Sequence, residues 1–213
     1  MAENVWLASV RDARQKSKDR KFSQTWDLMI NVKGLDLKRP ENRLNTEFVL
    51  PQGRGKAIKV VVIADSIGNQ AREVADLVIE KEQILVLAKD KKKLKQIADE
   101  YDYFLGEVTL MAQIGKTLGT ILGPRGKIPK PLPPKVPVKP LVERARRTVR
   151  ISLKDTPVIH TIVGTDTMED EKIAQNAEAL FNFVRDKLPK GLNSIRSVYL
   201  KRTMGAPVKV NAK

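Results

Sequence analysis

Three stretches of this 213-residue chain combine residue types suited to gripping a polyanion. Lys201-Arg202-Thr203-Met204-Gly205-Ala206-Pro207 offers cations for phosphates, a hydroxyl for a phosphate or ribose 2′-OH, and a flexible thioether for packing on sugar or base. Its glycine, lacking a Cβ, lets RNA approach the backbone closely. The same residues are equally consistent with a plain basic hairpin holding a buried methionine. Arg20-Lys21-Phe22-Ser23 runs from paired cations to an aromatic ring and a hydroxyl, the mixture used to hold looped or single-stranded RNA. Phe22 has two readings here, stacking on a nucleotide or starting the core face of a strand. The third stretch, Gly119 to Pro140, gathers seven of the chain's 12 prolines beside Arg125, Lys127, Lys130, Lys135 and Lys139, with no acid between Glu107 and Glu143. Proline fixes φ and glycine permits tight turns, so an ordered but irregular loop presenting cations is expected.

The overall charge supports such a partner. Lys and Arg outnumber Asp and Glu by 40 to 25, a formal charge of +15, which favours RNA, DNA or an anionic membrane surface. At 41% hydrophobic the chain has ample material for a core, as one large domain or two small ones. There is no cysteine and one histidine, His160, which removes disulfides, thiol nucleophiles and Cys/His zinc sites and leaves at most a carboxylate-bound ion such as Mg²⁺. No run approaches the roughly 18 apolar residues of a membrane span, and the N-terminus lacks the apolar core of a signal peptide, so the cytoplasm is the expected compartment.

Enzyme motifs fail at identifiable positions. Gly115-Lys116-Thr117 resembles the end of a phosphate-binding loop, but the required earlier glycine is Leu110. Gly53-Arg54-Gly55 precedes a strand instead of following one, and Ile58 stands where a dinucleotide fingerprint needs glycine. His160, between Ile159 and Thr161, reads as a packing or surface residue of a strand, not a general base. The lysines between Lys89 and Lys95 read as a solvated helix face. An enzyme binding a nucleotide would rest on fold analogy alone.

The elements that must position these residues follow from hydrophobic period. Glu3 to Lys18 reads as an amphipathic helix. From Phe22 through Val32 the residues alternate as a half-buried strand, and Leu44, Thr46, Phe48 and Leu50 repeat the alternation. The continuous apolar run Val60 to Ile63 suits a strand covered on both faces. A helical segment to Ala75, a strand Leu77 to Ile79, a helix Glu82 to Glu100, a strand Tyr103 to Leu105 and helices Leu110 to Leu118 and Leu141 to Arg147 complete a β/α alternation, the pattern of a parallel Rossmann-like sheet. Alternation returns at Val149 to Leu153 and Val158 to Val163. A helix with a capping box from Thr167 to Asp170 ends at Pro189 and Gly191, and strands Ser194 to Arg202 and Pro207 to Val210 follow. The fold class expected is α/β and α+β in two domains. A discontinuous α+β domain is built from both termini, residues 1–56 and 151–213, with a Rossmann-like α/β domain, residues 57–150, inserted between them.

Gly119 to Pro131, Ser197 to Val210 and Leu50 to Lys56 together resemble the ribosomal protein L one family, and Pro40-Glu41-Asn42-Arg43 and Lys130-Pro131-Leu132-Pro133 suit its archaeal form. The resemblance covers essentially the whole chain. It implies a structural constituent of the large ribosomal subunit that binds 23S rRNA in the mobile stalk, assists release of deacylated tRNA from the exit site, and represses translation by binding a leader of its own mRNA. It implies the split domain as the rRNA site, with Lys21, Phe22, Ser23 and Thr25 on the first strand, Ser197, Lys201, Thr203, Met204 and Gly205 near the C-terminus, and His160 at the periphery. Arg125, Lys127 and Lys130 are then a secondary contact to RNA or tRNA. No catalytic residue, metal, cofactor or membrane is expected, and the protein is expected to be a monomer off the ribosome.

Overall fold

A computed structural model describes residues 4–65, 67–133 and 136–212. Glu3 of the expected first helix and Lys135 of the proline-rich stretch lie outside the described residues. Along the chain run α1 (Val5–Gln15), β1 (Thr25–Val32), β2 (Leu44–Val49), β3 (Val60–Ile63), α2 (Gly68–Arg72), β4 (Leu77–Ile79), α3 (Lys81–Lys89), α4 (Lys91–Glu100), β5 (Tyr103–Glu107), α5 (Met111–Thr117), α6 (Gly119–Leu122), β6 (Lys130–Leu132), α7 (Val138–Arg147), β7 (Thr148–Leu153), β8 (Val158–Thr165), α8 (Asp170–Lys187), β9 (Ile195–Arg202) and β10 (Val208–Val210). Contacts divide the chain into two compact units, Met1–Lys56 with Arg147–Lys213, and Ala57–Arg146. The first unit therefore contains all of β7, whose start at Thr148 precedes the boundary of 150 read from the sequence.

In the first unit an antiparallel sheet runs β10-β9-β1-β8, with the first strand of the chain in its interior. Because side chains alternate along a strand, Trp26, Leu28, Ile30 and Val32 all point to one face, where Val198 and Leu200 of β9 and Ile159 and Val163 of β8 join them. The apolar stripes of α1 (Trp6, Val10, Ala13) and α8 (Ile173, Ala177, Leu180, Phe181, Val184) close on that face, and the Trp6 and Phe181 rings meet at 5.3 Å. The strands that flank the inserted unit, β2 and β7, pair antiparallel from Leu44 opposite Leu153 to Val49 opposite Thr148. The link is completed by Leu50 N–H, which donates to the Arg147 carbonyl at 3.0 Å.

The second unit has a parallel sheet in the order β4-β3-β5-β6. All four residues of β3 are buried, as its unbroken apolar run requires, because each face has its own core. Val61 and Ile63 pack with residues of α3 to α6, including Ile84, Leu94, Ile114 and Leu122. Val60 and Val62 pack with Ala71 of α2 and with Val138, Val142 and Ala145 of α7.

Four expectations change. The helix read as continuous from Glu82 to Glu100 is two helices, since the Asp90 carboxylate accepts from the backbone N–H groups of Lys92 and Lys93 and so starts α4 afresh. The proline-rich stretch is less irregular than its composition suggests, holding the short α6, an edge strand β6 whose Pro131 costs no needed donor, and the first turn of α7 around Pro140. The first strand starts at Thr25, so Lys21, Phe22 and Ser23 form its lead-in instead of its first residues. No capping box joins Thr167 to Asp170. Glu169 occupies the N-cap position without a side-chain bond, and the Thr167 hydroxyl lies 2.8 Å from that of Thr165 and donates to the Gly55 carbonyl.

Gly55 is the tightest point of the first unit's link. Its φ is +72°, and a Cβ there would fall 2.3 Å from Thr165 Oγ1 and 2.6 Å from Met168. Gly55→Ala is expected to cost roughly 1–3 kcal/mol. Both tryptophans, Trp6 and Trp26, lie in this unit, so urea unfolding followed by tryptophan fluorescence reads the loss directly.

Candidate nucleic-acid interface

One carboxylate organises the N-terminal end of β1. Asp166, just past β8, accepts from the Trp26 indole N–H at 3.0 Å, from the Gln24 backbone N–H at 3.2 Å, and from the Arg202 guanidinium at 2.7 Å. Arg202 also donates to Asp19 at 3.0 Å. The Arg202 side chain is 5% exposed, and the hydrogen bond to Asp166 raises its affinity for the proton above the ordinary value despite the opposing effect of burial. The lead-in to β1, the end of β8 and the end of β9 are thereby tied at one point.

The turn after β9 is fixed from the same place. Thr203 N–H donates to the Thr25 carbonyl at 2.9 Å, the Thr203 hydroxyl donates to that carbonyl at 3.1 Å and accepts from Thr25 N–H at 3.2 Å, and the two threonine hydroxyls lie 2.7 Å apart. Met204 N–H donates to Gln24 Oε1 at 3.0 Å, and Gly205 N–H donates to the Arg202 carbonyl. The Thr203 hydroxyl thus holds the turn to Thr25 within the protein. Gly205 also has an internal reason, since a Cβ there would come within 2.0 Å of Ser17 Oγ and 3.0 Å of Ser17 Cβ, while Ser17 is held by its bond to the Ala13 carbonyl.

What this framework holds outward are two large apolar side chains. Phe22 is 55% exposed and Met204 59% exposed. Neither the core reading of Phe22 nor the buried-methionine reading survives. Lys21 and Ser23 are exposed beside Phe22, and Lys201 Nζ donates to the Thr203 carbonyl at 3.2 Å.

The sheet face opposite the core continues this surface. Register places Thr25, Asp27, Met29 and Asn31 of β1 beside Lys201, Tyr199 and Ser197 of β9, His160 and Ile162 of β8, and Lys209 of β10. Both long helices lie on the other side. Asn31 donates to Ser197 Oγ at 2.9 Å, and His160 stands exposed on the edge strand, opposite Met29. Asp27 is buried between the strands, and that burial pushes its carboxyl above the ordinary value of 3.8 against the pull of His160 and Lys201. Sequence reasoning missed Met29, Asn31, Tyr199 and Lys209. The period-two alternation that assigned Trp26, Leu28 and Ile30 inward carried them as its complement.

The secondary cations are separate, all in the second unit. Lys127 Nζ donates to the carbonyls of Ala98 and Tyr101 at 2.8 and 2.7 Å, capping the C-terminus of α4, and Arg125 pairs with Asp99 at 2.9 Å. These two serve the fold of their own unit. Lys130 is exposed on β6. Among the described residues no cluster of His, Asp or Glu could hold a metal ion, and no helix is long and apolar enough to cross a membrane.

Removing Asp166 leaves the Arg202 charge buried with only the exposed Asp19 opposite, so Asp166→Ala is expected to lower stability by about 3–5 kcal/mol in a fluorescence-monitored denaturation. Asp27 predicts a pH effect of definite sign. A carboxyl raised on folding contributes stability that is present below 3.8 and lost as pH rises through the folded value. Asp27→Asn is therefore expected to raise the unfolding midpoint at neutral pH, with the gain shrinking towards acidic pH in a series of thermal melts.

The profile of the Ribosomal protein L1p/L10e family matches residues 14–206. "Large ribosomal subunit protein uL1" of Methanothermococcus thermolithotrophicus is 47% identical over 209 residues, covering 98% of each chain. The proteins of that name from Pyrococcus horikoshii and Methanocaldococcus jannaschii are 46% and 45% identical, over 96% and 99% of this chain and 94% and 96% of their own. Similarity of that depth across both units leaves one conclusion, that the chain belongs to the ribosomal protein L1p/L10e family, whose members are structural rRNA-binding proteins of the large subunit and not enzymes.

Proposed function

We propose that the unit formed from both ends of the chain grips 23S rRNA of the ribosomal stalk with its helix-free sheet face, the Lys21-Phe22-Ser23 lead-in and the Thr203-Met204-Gly205 turn. The observation that carries this reading is the outward presentation of Phe22 and Met204 from a backbone that Gln24, Thr25, Thr203 and Asp166 hold rigid. Two apolar side chains kept in water by an ordered frame suit unstacked bases and sugars. Lys21, Lys201 and the peripheral His160 supply or approach phosphates, and Ser23 and Ser197 supply hydroxyls. Thr25, Thr203 and Gly205 act through position: they set the turn on which Met204 stands.

The inserted unit, in this reading, reaches exit-site tRNA and assists its release through Arg125, Lys127 and Lys130. A leader of the protein's own mRNA that imitates the rRNA site competes for the same face and represses translation. Off the ribosome the protein is a monomer.

Binding to a stalk fragment of 23S rRNA, measured by filter retention, tests the assignment. Phe22→Ala and Met204→Ala are expected to weaken binding by roughly 1–3 kcal/mol each, with the salt dependence little changed, as loss of a stacking surface requires. Lys91→Ala, on α4 of the other unit, is expected to change affinity little. Equal losses from all three would reduce the site to diffuse electrostatics. A reporter fused to the native leader checks the regulatory arm, where Met204→Ala is expected to relieve repression.

A further inference from the structure

The sheet face does not end at Ser197. Where β9 begins and β10 ends, a groove of about 380 Å³ opens between the turn Gly191–Ser194 and the strand pair. It is about the size of clefts that hold small ligands, roughly 300–1,000 Å³. Leu192, 43% exposed, and Ile195 form an apolar wall with Val198, Val210 and Ala212, while Arg196, Ser197, Lys209 and Asn211 supply the polar lining. The lining contains two cations and no carboxylate. Neither Arg196 nor Lys209 has an ion pair among the described residues, in contrast to Arg202, Arg125 and Lys127, whose charges are taken up inside the protein.

We propose that this groove seats one unpaired nucleotide of the RNA held on the sheet face, its base against Leu192 and Ile195 and its phosphate between Arg196 and Lys209. The proposal rests on the reading of the face as an RNA site, and continuity with that face is what selects the occupant. Ser197 belongs to both surfaces, its Oγ already accepting from Asn31 of β1, and Lys209 stands opposite Tyr199 on the outward side of the sheet. No carboxylate lines the groove that an RNA strand leaving the face past Ser197 would enter. An apolar wall with unpaired cations at its rim fits a base joined to a phosphate, with Asn211 and Ser197 available to a base edge or a 2′-OH.

The full-length protein and the 23S rRNA stalk fragment serve for the test, with filter binding across a salt series. Arg196→Gln and Lys209→Gln are each expected to weaken binding roughly three- to tenfold and to lower the slope of log affinity against log salt by about 1. Leu192→Ser, at an exposed position that leaves the core intact, is expected to weaken binding with the slope unchanged. Placing 2-aminopurine at each unpaired position of the fragment should reveal one whose emission on binding depends on Leu192. Native affinity and slope in all three variants, with Met204→Ala still defective, would overturn the groove while leaving the face in place, and would point to a protein segment as its occupant. Groove variants that weaken binding while Met204→Ala does not would keep the groove and sink the reading of the face.

Discussion

The first unit depends on a single half-buried carboxylate. Asp166 meets an indole N–H, a backbone N–H and a guanidinium, and these come from the start of β1 and the end of β9 while Asp166 itself follows β8. The buried guanidinium of Arg202 is tolerated because this carboxylate pairs with it, and the lone pairs of the carboxylate are filled by groups distant in sequence. The tie settles where β1 can begin, and so which residues before it remain outside the sheet. Phe22 is exposed because Gln24, two residues on, is already committed to Asp166 and Met204.

That constraint also makes the sheet two-faced in a useful way. One face carries the core with α1 and α8, so the energy of burial is collected entirely there. The other face is released from packing, and it can carry Lys201, Tyr199, His160 and Asn31 without weakening the fold. The pairing of β2 with β7 brings Val49 and Thr148 together, so the inserted unit leaves and returns at one place. Closing a long loop costs only about 0.6 kcal/mol more for each doubling of its length, which is why an insertion between paired strands is tolerated.

Much of this was readable in the chain. Alternation in Trp26 to Val32 and the unbroken run Val60 to Ile63 identified a one-sided and a two-sided strand, and the structure has both. The fold class followed from the order of those patterns. What failed was local and depended on partners far away. The break at Asp90 is a side chain choosing a cap over a surface, a choice that helical periodicity does not register. The core reading of Phe22 had the period right and the strand's start wrong, since the start is set by Asp166, more than a hundred residues distant. The need for glycine at 205 has a source that the local sequence does not display, the Ser17 side chain a Cβ would meet.

The same distinction separates net charge from site. A charge of +15 draws RNA to the molecule from a distance, and it acts through the sum of the cations, wherever they sit. Specificity needs cations and apolar groups whose positions are fixed yet whose bonding capacity is unspent. Lys127 and Arg125, in the most proline-rich stretch of the chain, fail that second condition because they cap a helix and pair with Asp99. Arg202 fails it as well, at the head of the Thr203-Met204-Gly205 turn. The side chains that satisfy it stand near the committed ones: Met204 next to Thr203 and Phe22 two residues before Gln24, while Lys201 is partly committed through its bond to the Thr203 carbonyl. In this fold the proposed recognition surface lies one or two residues from the structural bonds, because alternation along a strand sends neighbours to opposite sides and a pinned turn leaves its next residue outward.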